Sequence, residues 1–396
     1  MPVPSPFHSR TSQRCRSLQW KDWAGYHAVR YYGDCHEAEY FAIRHSAGLL
    51  DVTPLFKYEV TGPDSPEFLA RVMSRNVARL KVGRVTYVCW CDDDGKVIDD
   101  GTVARLEKHH FRVTAAEPSL HWFERFRRGH DVAIEDSSAR LGALSIQGPT
   151  SRAILEAATG ASLRELRFFG LAPASVGSAA CTITRTGYTG DLGYEIWVDR
   201  SDAEAVYDAL FEAGEPHGLL PAGLDALDVA RVEAGFVMNG VDYFSANHCL
   251  VEHRKSSPFE LNLDWTVRLD RAPFVGRDAL RRELDEGPER RFVGLVVDWD
   301  QTEWLFESYG LPPELPLSAW RDGRPVYGPD GEWIGMATSG AWSPTLKQNL
   351  ALAQIQAEHS RPGTHLKIEV TAEYRRHRVS AAVTELPFLD LERKRT

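Results

Sequence analysis

Two short stretches hold most of the residues whose types and spacing could do chemistry. In RTGYTGDLGYE (185–195), Gly187, Gly190 and Gly193 surround Tyr188, Asp191 and Glu195. Glycines allow a sharp turn or a close approach of backbone to ligand. An aromatic ring beside an acid suits a flat heterocycle rich in donors. The ring stacks on tyrosine, and the carboxylate accepts two hydrogen bonds from an amidine-like edge. The same residues also fit a tight hairpin with solvated acids. The second stretch, KVIDDG (96–101), ends in paired carboxylates. In a strand, Asp99 and Asp100 point to opposite faces, so at most one is expected to face a pocket. An inward aspartate among Val97, Ile98 and Val103 needs a partner. It is a candidate for charge stabilisation or proton handling. Two turn aspartates in water fit the spacing equally well.

Other clusters carry less. His109 and His110 fall on opposite faces of one strand, so no metal is expected there. Six cysteines in 396 residues do not form a disulfide framework, and the C-x-C pair Cys89 and Cys91 lacks a second pair for zinc. Arg125, Arg127 and Arg128 read as a solvated helix face. Trp20, Trp23, Trp265 and Trp342 read as core or domain-interface residues. No phosphate loop, dinucleotide fingerprint, G-x-S-x-G elbow or H-E-x-x-H is present. A nucleotide-dependent kinase, a Rossmann oxidoreductase and a zinc protease are therefore not expected.

The elements that must position these residues follow from the rest of the chain. Its length suggests two or three domains at roughly 100–200 residues each. A net charge of −10, with 56 acidic and 46 basic side chains, argues against a nucleic-acid or anionic-membrane role. No apolar run approaches a membrane span. Residues 1–22 lack the apolar core of a secretory signal and read as a loose leader of a cytoplasmic protein. HEAEYFAIRHSAG (36–48) has helical spacing with a glycine stop at Gly48. The run from Leu49 to Ser74 reads as strand, turn at GPDS, and a helix capped by Asp64 or Ser65. Residues 82–118 read as an antiparallel meander turned by DDDG (92–95). Further on, ALSIQGP reads as a strand, SRAILEAAT as a helix, 183–198 as a hairpin, and 223–236 as a helix. After about residue 290, short strands between Gly, Pro and Asp turns predict a separate β-module, with LRRELDEGPER (280–290) as the link. The segment 299–320 interrupts it as a packed loop or a lid.

Together these motifs resemble the glycine cleavage system T-protein (aminomethyltransferase) superfamily of tetrahydrofolate-dependent one-carbon transferases. The resemblance rests on FAIRHSAGLLDV (41–52), GRVTYVCWCDDDGKVIDD (83–100), ALSIQGP (143–149), TRTGYTGDLGYEIWV (184–198), PAGLDALDVARVEAGF (221–236), SPFELNLDWTVRLDRAPFVGRDAL (257–280) and ATSGAWSPTL (337–346). It implies an α+β fold: a three-domain cloverleaf around a central folate channel, with a C-terminal antiparallel β-barrel. The expected units are 1–22, a folate-binding region of two intertwined subdomains over 23–285, and a barrel over 290–396. Asp100 matches the family's essential aspartate near the reacting pterin nitrogen. Glu195 matches the acid that grips the pterin edge, and Tyr188 an aromatic lining the folate site. Tyr87, Leu55 and Thr102 match other wall positions. Thr114 stands where an asparagine is usual.

Departures from the T-protein pattern bear on the substrate. Leu227 replaces an arginine, Asn239 a tyrosine and Pro54 a histidine, and the loop 243–258 is longer. These changes resemble the demethylase side of the superfamily. They imply a tetrahydrofolate-dependent methyltransferase moving a one-carbon group from a small sulfonium, amine or aryl methyl ether to N5 of tetrahydrofolate. Asp100 would stabilise charge at N5 or manage its proton. Tyr31, Tyr32 or His248 could act as general acid for an ether, and Asn239 could touch substrate. Two alternatives stand beside this: aminomethyl transfer from a lipoyl carrier protein, and a non-catalytic folate-binding regulator. No metal or flavin is expected, the folate module consuming the chain, and the assembly is expected to be a monomer or homodimer.

Overall fold

A computed structural model describes residues 1–396. Besides a two-stranded N-terminal ribbon, it contains two larger open sheets and one closed barrel. The first sheet has five strands, in the spatial order Arg84–Cys91, Val97–Glu107, His110–Ala115, Phe56–Thr61 and Ala133–Asp136, all antiparallel. Alternation along these strands produces two different faces. Val88, Trp90, Val103, Val113, Tyr58 and Val60 form a buried core with Phe68, Leu69 and Phe123 of the covering helices. The other face carries Val85, Tyr87, Asp100, Thr102 and Thr114. The register sets Tyr87 opposite Thr102 and Cys89 opposite Asp100. Gly101 is required where neighbouring strands meet closely: a Cβ there would lie 1.9 Å from the Thr114 carbonyl oxygen.

The second sheet has six strands, in the order Leu171–Val176, Ala179–Thr184, Gly193–Asp199, Leu141–Gln147, Ala47–Asp51 and Leu219–Pro221. Helices Ser151–Thr159 and Ala203–Gly214 cover it through Ile154, Leu155, Val206 and Leu210. The glycines of RTGYTGDLGYE have a definite steric cause. A Cβ on Gly187 or Gly193 would sit 2.1 or 2.0 Å from Oε1 of Gln147. That buried amide receives the Thr189 hydroxyl at 2.8 Å and ties the turn to the sheet.

The barrel closes through six antiparallel strands: Arg290–Val297, Gln348–Gln356, Trp333–Ser343, Arg324–Tyr327, His365–Ala372 and Arg375–Thr384. The expected link over 280–290 is mostly helical. Arg277–Glu286 is a helix, and Gly287, at φ 85°, follows it. The segment after 298 begins with a helix, Trp299–Glu307, whose Leu305 and Phe306 pack on Ala372 and Val379 of the barrel. The three units meet in a central apolar cluster that includes Tyr40, Cys89, Trp197, Val229, Leu261 and Leu352. Helix Leu224–Glu233 runs through it with every residue after Leu224 buried.

Two expectations are corrected. Residues 1–22 are not a loose leader. They form helix His8–Arg14 and most of strand Gln19–Trp23, which pairs with Tyr26–Tyr31. Phe7 is fully buried against Tyr207, an apolar anchor that reading the segment for signals overlooked. The helix at 36–48 stops at His45, and Gly48 lies inside strand Ala47–Asp51. A Cβ on Gly48 would lie 2.7 Å from Ile43, so the glycine serves packing rather than termination. No helix is long and apolar enough to cross a membrane.

Candidate active site

Asp99 and Asp100 do point apart, as strand geometry requires. Asp99 is fully buried beneath the first sheet. Its carboxylate accepts the Asn239 amide at 2.8 Å and the backbone N–H groups of Ala116 and Glu117 at 3.0 and 2.9 Å. Asp100 is half-buried on the opposite face. It accepts the Tyr87 hydroxyl at 2.6 Å and, on its other oxygen, the Tyr243 hydroxyl. The same Tyr243 hydroxyl lies 3.4 Å from Asp99 Oδ1, so one side chain bridges the pair. Neither carboxylate has a Lys, Arg or His nitrogen within 4.0 Å. Burial and the neighbouring Asp100 charge push Asp99 up to about 8. Burial also raises Asp100, against the opposing pull of its two tyrosine hydrogen bonds.

Glu195 stands across from this face on the second sheet. A recess with about 280 Å³ of empty space is lined by Thr102, Thr114, Thr184, Glu195, Trp197 and their neighbours. Arg112 closes one wall, its guanidinium 5.7 Å over the Trp197 ring. The Thr102 and Thr114 hydroxyls are 2.7 Å apart. Glu195 Oε2 accepts Thr186 at 2.8 Å and Thr184 at 3.4 Å. Its Oε1 has no hydrogen bond within the chain, and no cation neutralises the group. Burial raises Glu195 above the ordinary carboxylate range. Thr102 is two residues from Asp100 on one face of one strand, so the two carboxylates belong to neighbouring parts of one lining.

Tyr87, Leu55 and Tyr188 all pack against the central cluster. Tyr87 stacks on Trp265, with ring centroids 5.6 Å apart. Tyr188 stacks on Phe236 at 5.4 Å and donates its hydroxyl to the Val237 carbonyl. Asp191, grouped with Glu195 by sequence, is turned away. Arg44 and Arg393 hold it in buried ion pairs at 3.2 and 2.6 Å.

Three substrate candidates are not brought to this group. Tyr32 is buried with Cys15 and Val29, and its backbone N–H is held by Glu39. Tyr31 lies on the pairing edge of the N-terminal hairpin. The His248 side chain is 68% exposed and reaches only Glu117, at 3.4 Å. Asn239 is present in the site through Asp99. Sequence reasoning missed Tyr243, whose role comes from a contact spanning 143 residues. Trp265, read as a core or domain-interface residue, is 44% exposed and stacks beside Tyr87. The DWT turn that carries it gave no local signal of a pocket.

Comparison with known proteins agrees with this architecture. The GCVT N-terminal domain family matches residues 11–271, and the glycine cleavage T-protein C-terminal barrel domain family matches 290–390. An aminomethyltransferase of Halothermothrix orenii is 34% identical, over 89% of this chain and 90% of its own. One from Symbiobacterium thermophilum is 36% identical, over 88% of each. A trimethylamine-oxide aldolase of Ruegeria pomeroyi is 34% identical, over 90% of this chain but 43% of its own length. The crystal structure of the glycine cleavage system aminomethyltransferase T from Bartonella henselae superposes with a TM-score of 0.83, at 25% identity, covering 98% of this chain and 99% of that one. With both family domains matched in order and relatives above 30% identity along nearly the whole chain, this protein belongs to the glycine cleavage T-protein family of folate-dependent one-carbon transferases.

Proposed function

We propose that the chain is a tetrahydrofolate-dependent methyltransferase that demethylates a small cationic compound, a methylated amine or a sulfonium. The observation that carries this reading is the Asp99–Asp100 pair. The two carboxyl groups point to opposite faces of the strand, bridged by the Tyr243 hydroxyl, and neither has a cation as partner. A positively charged donor supplies the counter-charge that Asp100 lacks.

The recess facing Glu195 suits a reduced pterin. Free Oε1 of Glu195 can accept from the amino-pyrimidine edge, and the Thr102 and Thr114 hydroxyls offer further polar contacts. Bound tetrahydrofolate supplies N5 as the nucleophile for the methyl carbon. The chain's own part is to hold donor and acceptor in line. Asp100, fixed by two tyrosine hydroxyls, stabilises positive charge developing at N5 and can take its proton. A methyl on a sulfonium or a quaternary nitrogen is given up by a neutral sulfide or amine, which departs without protonation. An aryl ether needs a general acid, and Tyr31, Tyr32 and His248 are not placed to be one, which weighs against ethers.

The relatives named aminomethyltransferase support a second reading, transfer from an aminomethyl-loaded lipoyl carrier. One experiment separates the two. The purified chain is incubated with tetrahydrofolate and a panel of methylated amines, sulfoniums and aryl ethers, and in parallel with a loaded lipoyl carrier. We expect 5-methyltetrahydrofolate from a cationic donor. Methylenetetrahydrofolate with ammonia from the carrier, and none from the panel, would overturn the proposal.

The carboxylate pair also predicts a pH dependence. Asp99 keeps its proton up to about pH 8, so it is neutral below that value and adds a second negative charge above it. The KM of a cationic donor is therefore expected to fall as pH rises through about 8. In Asp99→Asn that dependence disappears, because no second charge can form. An identical pH profile of KM in parent and variant would contradict this assignment.

A further inference from the structure

After the last barrel strand ends at Thr384, the chain leaves the barrel and runs back towards the second sheet. Leu386 and Phe388 pack on the central cluster. The Leu389 N–H donates to the Glu233 carbonyl at 3.0 Å, at the end of the central helix. A short helical turn, Glu392–Lys394, then lies against the RTGYTGDLGYE segment. Arg393 grips it with a fork. Its Nε donates to Asp191 Oδ1 at 2.6 Å, and its Nη2 donates to Asp191 Oδ2 at 2.8 Å and to the Arg44 carbonyl at 2.9 Å. Lys394 Nζ lies 4.7 Å over the Phe236 ring, the ring on which Tyr188 stacks. The Lys394 carbonyl accepts the Arg185 guanidinium at 3.5 Å. The tail therefore straps the 185–195 segment at its start and at its middle.

The other side of the segment is held from within. The Thr189 hydroxyl donates to Gln147, and the Thr189 carbonyl accepts Arg44 at 2.9 Å. Arg44 cannot serve Asp191 alone, because it also pairs with Glu233 at 2.5 Å. Arg393 supplies the forked hold that Arg44 does not. A planar guanidinium on both carboxylate oxygens fixes direction as well as distance. Three glycines leave this segment little stiffness of its own. Tyr188 stands three residues before Asp191 and Glu195 four after it, so the tie at Asp191 restrains both. Ordering them in the free protein removes that cost from ligand binding.

We propose that Arg393 is a positioning residue for the folate site: its fork to Asp191 sets the segment carrying Tyr188 and Glu195 in the binding geometry before folate arrives. The inference rests on the folate reading above and adds to it a part of the chain beyond the barrel.

The test measures affinity for 5-methyltetrahydrofolate by calorimetry on the full chain, beside urea denaturation. If the untied segment keeps the binding geometry about a tenth of the time, Arg393→Met raises Kd about tenfold. The same change leaves Asp191 and Glu233 to share Arg44, so some stability goes with it. Arg393→Met with Asp191→Asn removes that uncompensated charge. The urea midpoint should recover while Kd stays high, because the tie is still absent. A Kd that returns to the parent value together with the midpoint would show a merely structural role and overturn the inference, as would an unchanged Kd in the single variant. A second measurement needs no variant. The Arg393 side chain is 38% exposed, and by reciprocity bound ligand should slow tryptic cleavage after it. Equal cleavage rates with and without ligand would contradict the coupling. Each of these failures leaves the folate reading intact, whereas a parent chain that binds no 5-methyltetrahydrofolate would remove that reading itself.

Discussion

Replacing Asp100 by asparagine is expected to lower kcat by about 10²-fold or more, the usual effect of removing a group aimed at charge that develops in the transition state. The side chain is nearly isosteric, and its oxygen can still accept a tyrosine hydroxyl, so the Tyr87–Asp100–Tyr243 arrangement remains populated. What disappears is the negative charge and the capacity to take a proton. Folate affinity should change little, because the pterin edge is assigned to Glu195 on the other sheet. The measurement is single-turnover formation of the folate product, with folate affinity determined separately. Turnover within a few-fold of the parent would reject Asp100 as the charge-stabilising group.

A second large effect is expected at Arg231, which does not line the recess. Its guanidinium is fully buried and pairs with Asp228 at 2.8 Å and Asp242 at 2.7 Å, and also meets Ser339 at 3.0 Å. These contacts join the central helix, the loop carrying Asn239 and Tyr243, and barrel strand Trp333–Ser343. Asp228 has Arg321 as a second cation at 2.7 Å. Asp242 has no other cation: its remaining partners are Thr338, Ser339 and the Met238 backbone. Arg231→Met therefore strands a buried carboxylate and is expected to cost about 3–5 kcal/mol. Urea denaturation reads the loss. Adding Asp242→Asn should recover part of it, since the stranded charge goes. A loss below about 1 kcal/mol would show that the network contributes little. Because Tyr243 follows Asp242 directly, the variant should also loosen the hold on Asp100.

Much of the candidate site was legible in the residues, for reasons that differ between its parts. The opposed directions of Asp99 and Asp100 follow from strand geometry alone. The glycines of 187–193 announced a close approach, although the approaching group is the Gln147 side chain rather than a ligand. By spacing alone Glu195 and Asp191 were equivalent, and only the family resemblance set Glu195 apart. Only the packing of Arg44 and Arg393 shows that Asp191 is spent on buried ion pairs and Glu195 is not.

By itself the sequence determined the strand and helix periodicities, the turn at residues 92–95, the change to short strands near residue 290, and motifs specific enough to indicate the family. These are local properties, written in spacing along the chain. The tertiary structure decided which side chains share a cavity. It brought Tyr243 to Asp100 and Trp265 to Tyr87, buried Phe7, and kept Tyr31, Tyr32 and His248 away. Such contacts join residues tens to hundreds of positions apart. They depend on how sheets, helix and barrel settle around one apolar cluster, and no local pattern encodes that outcome.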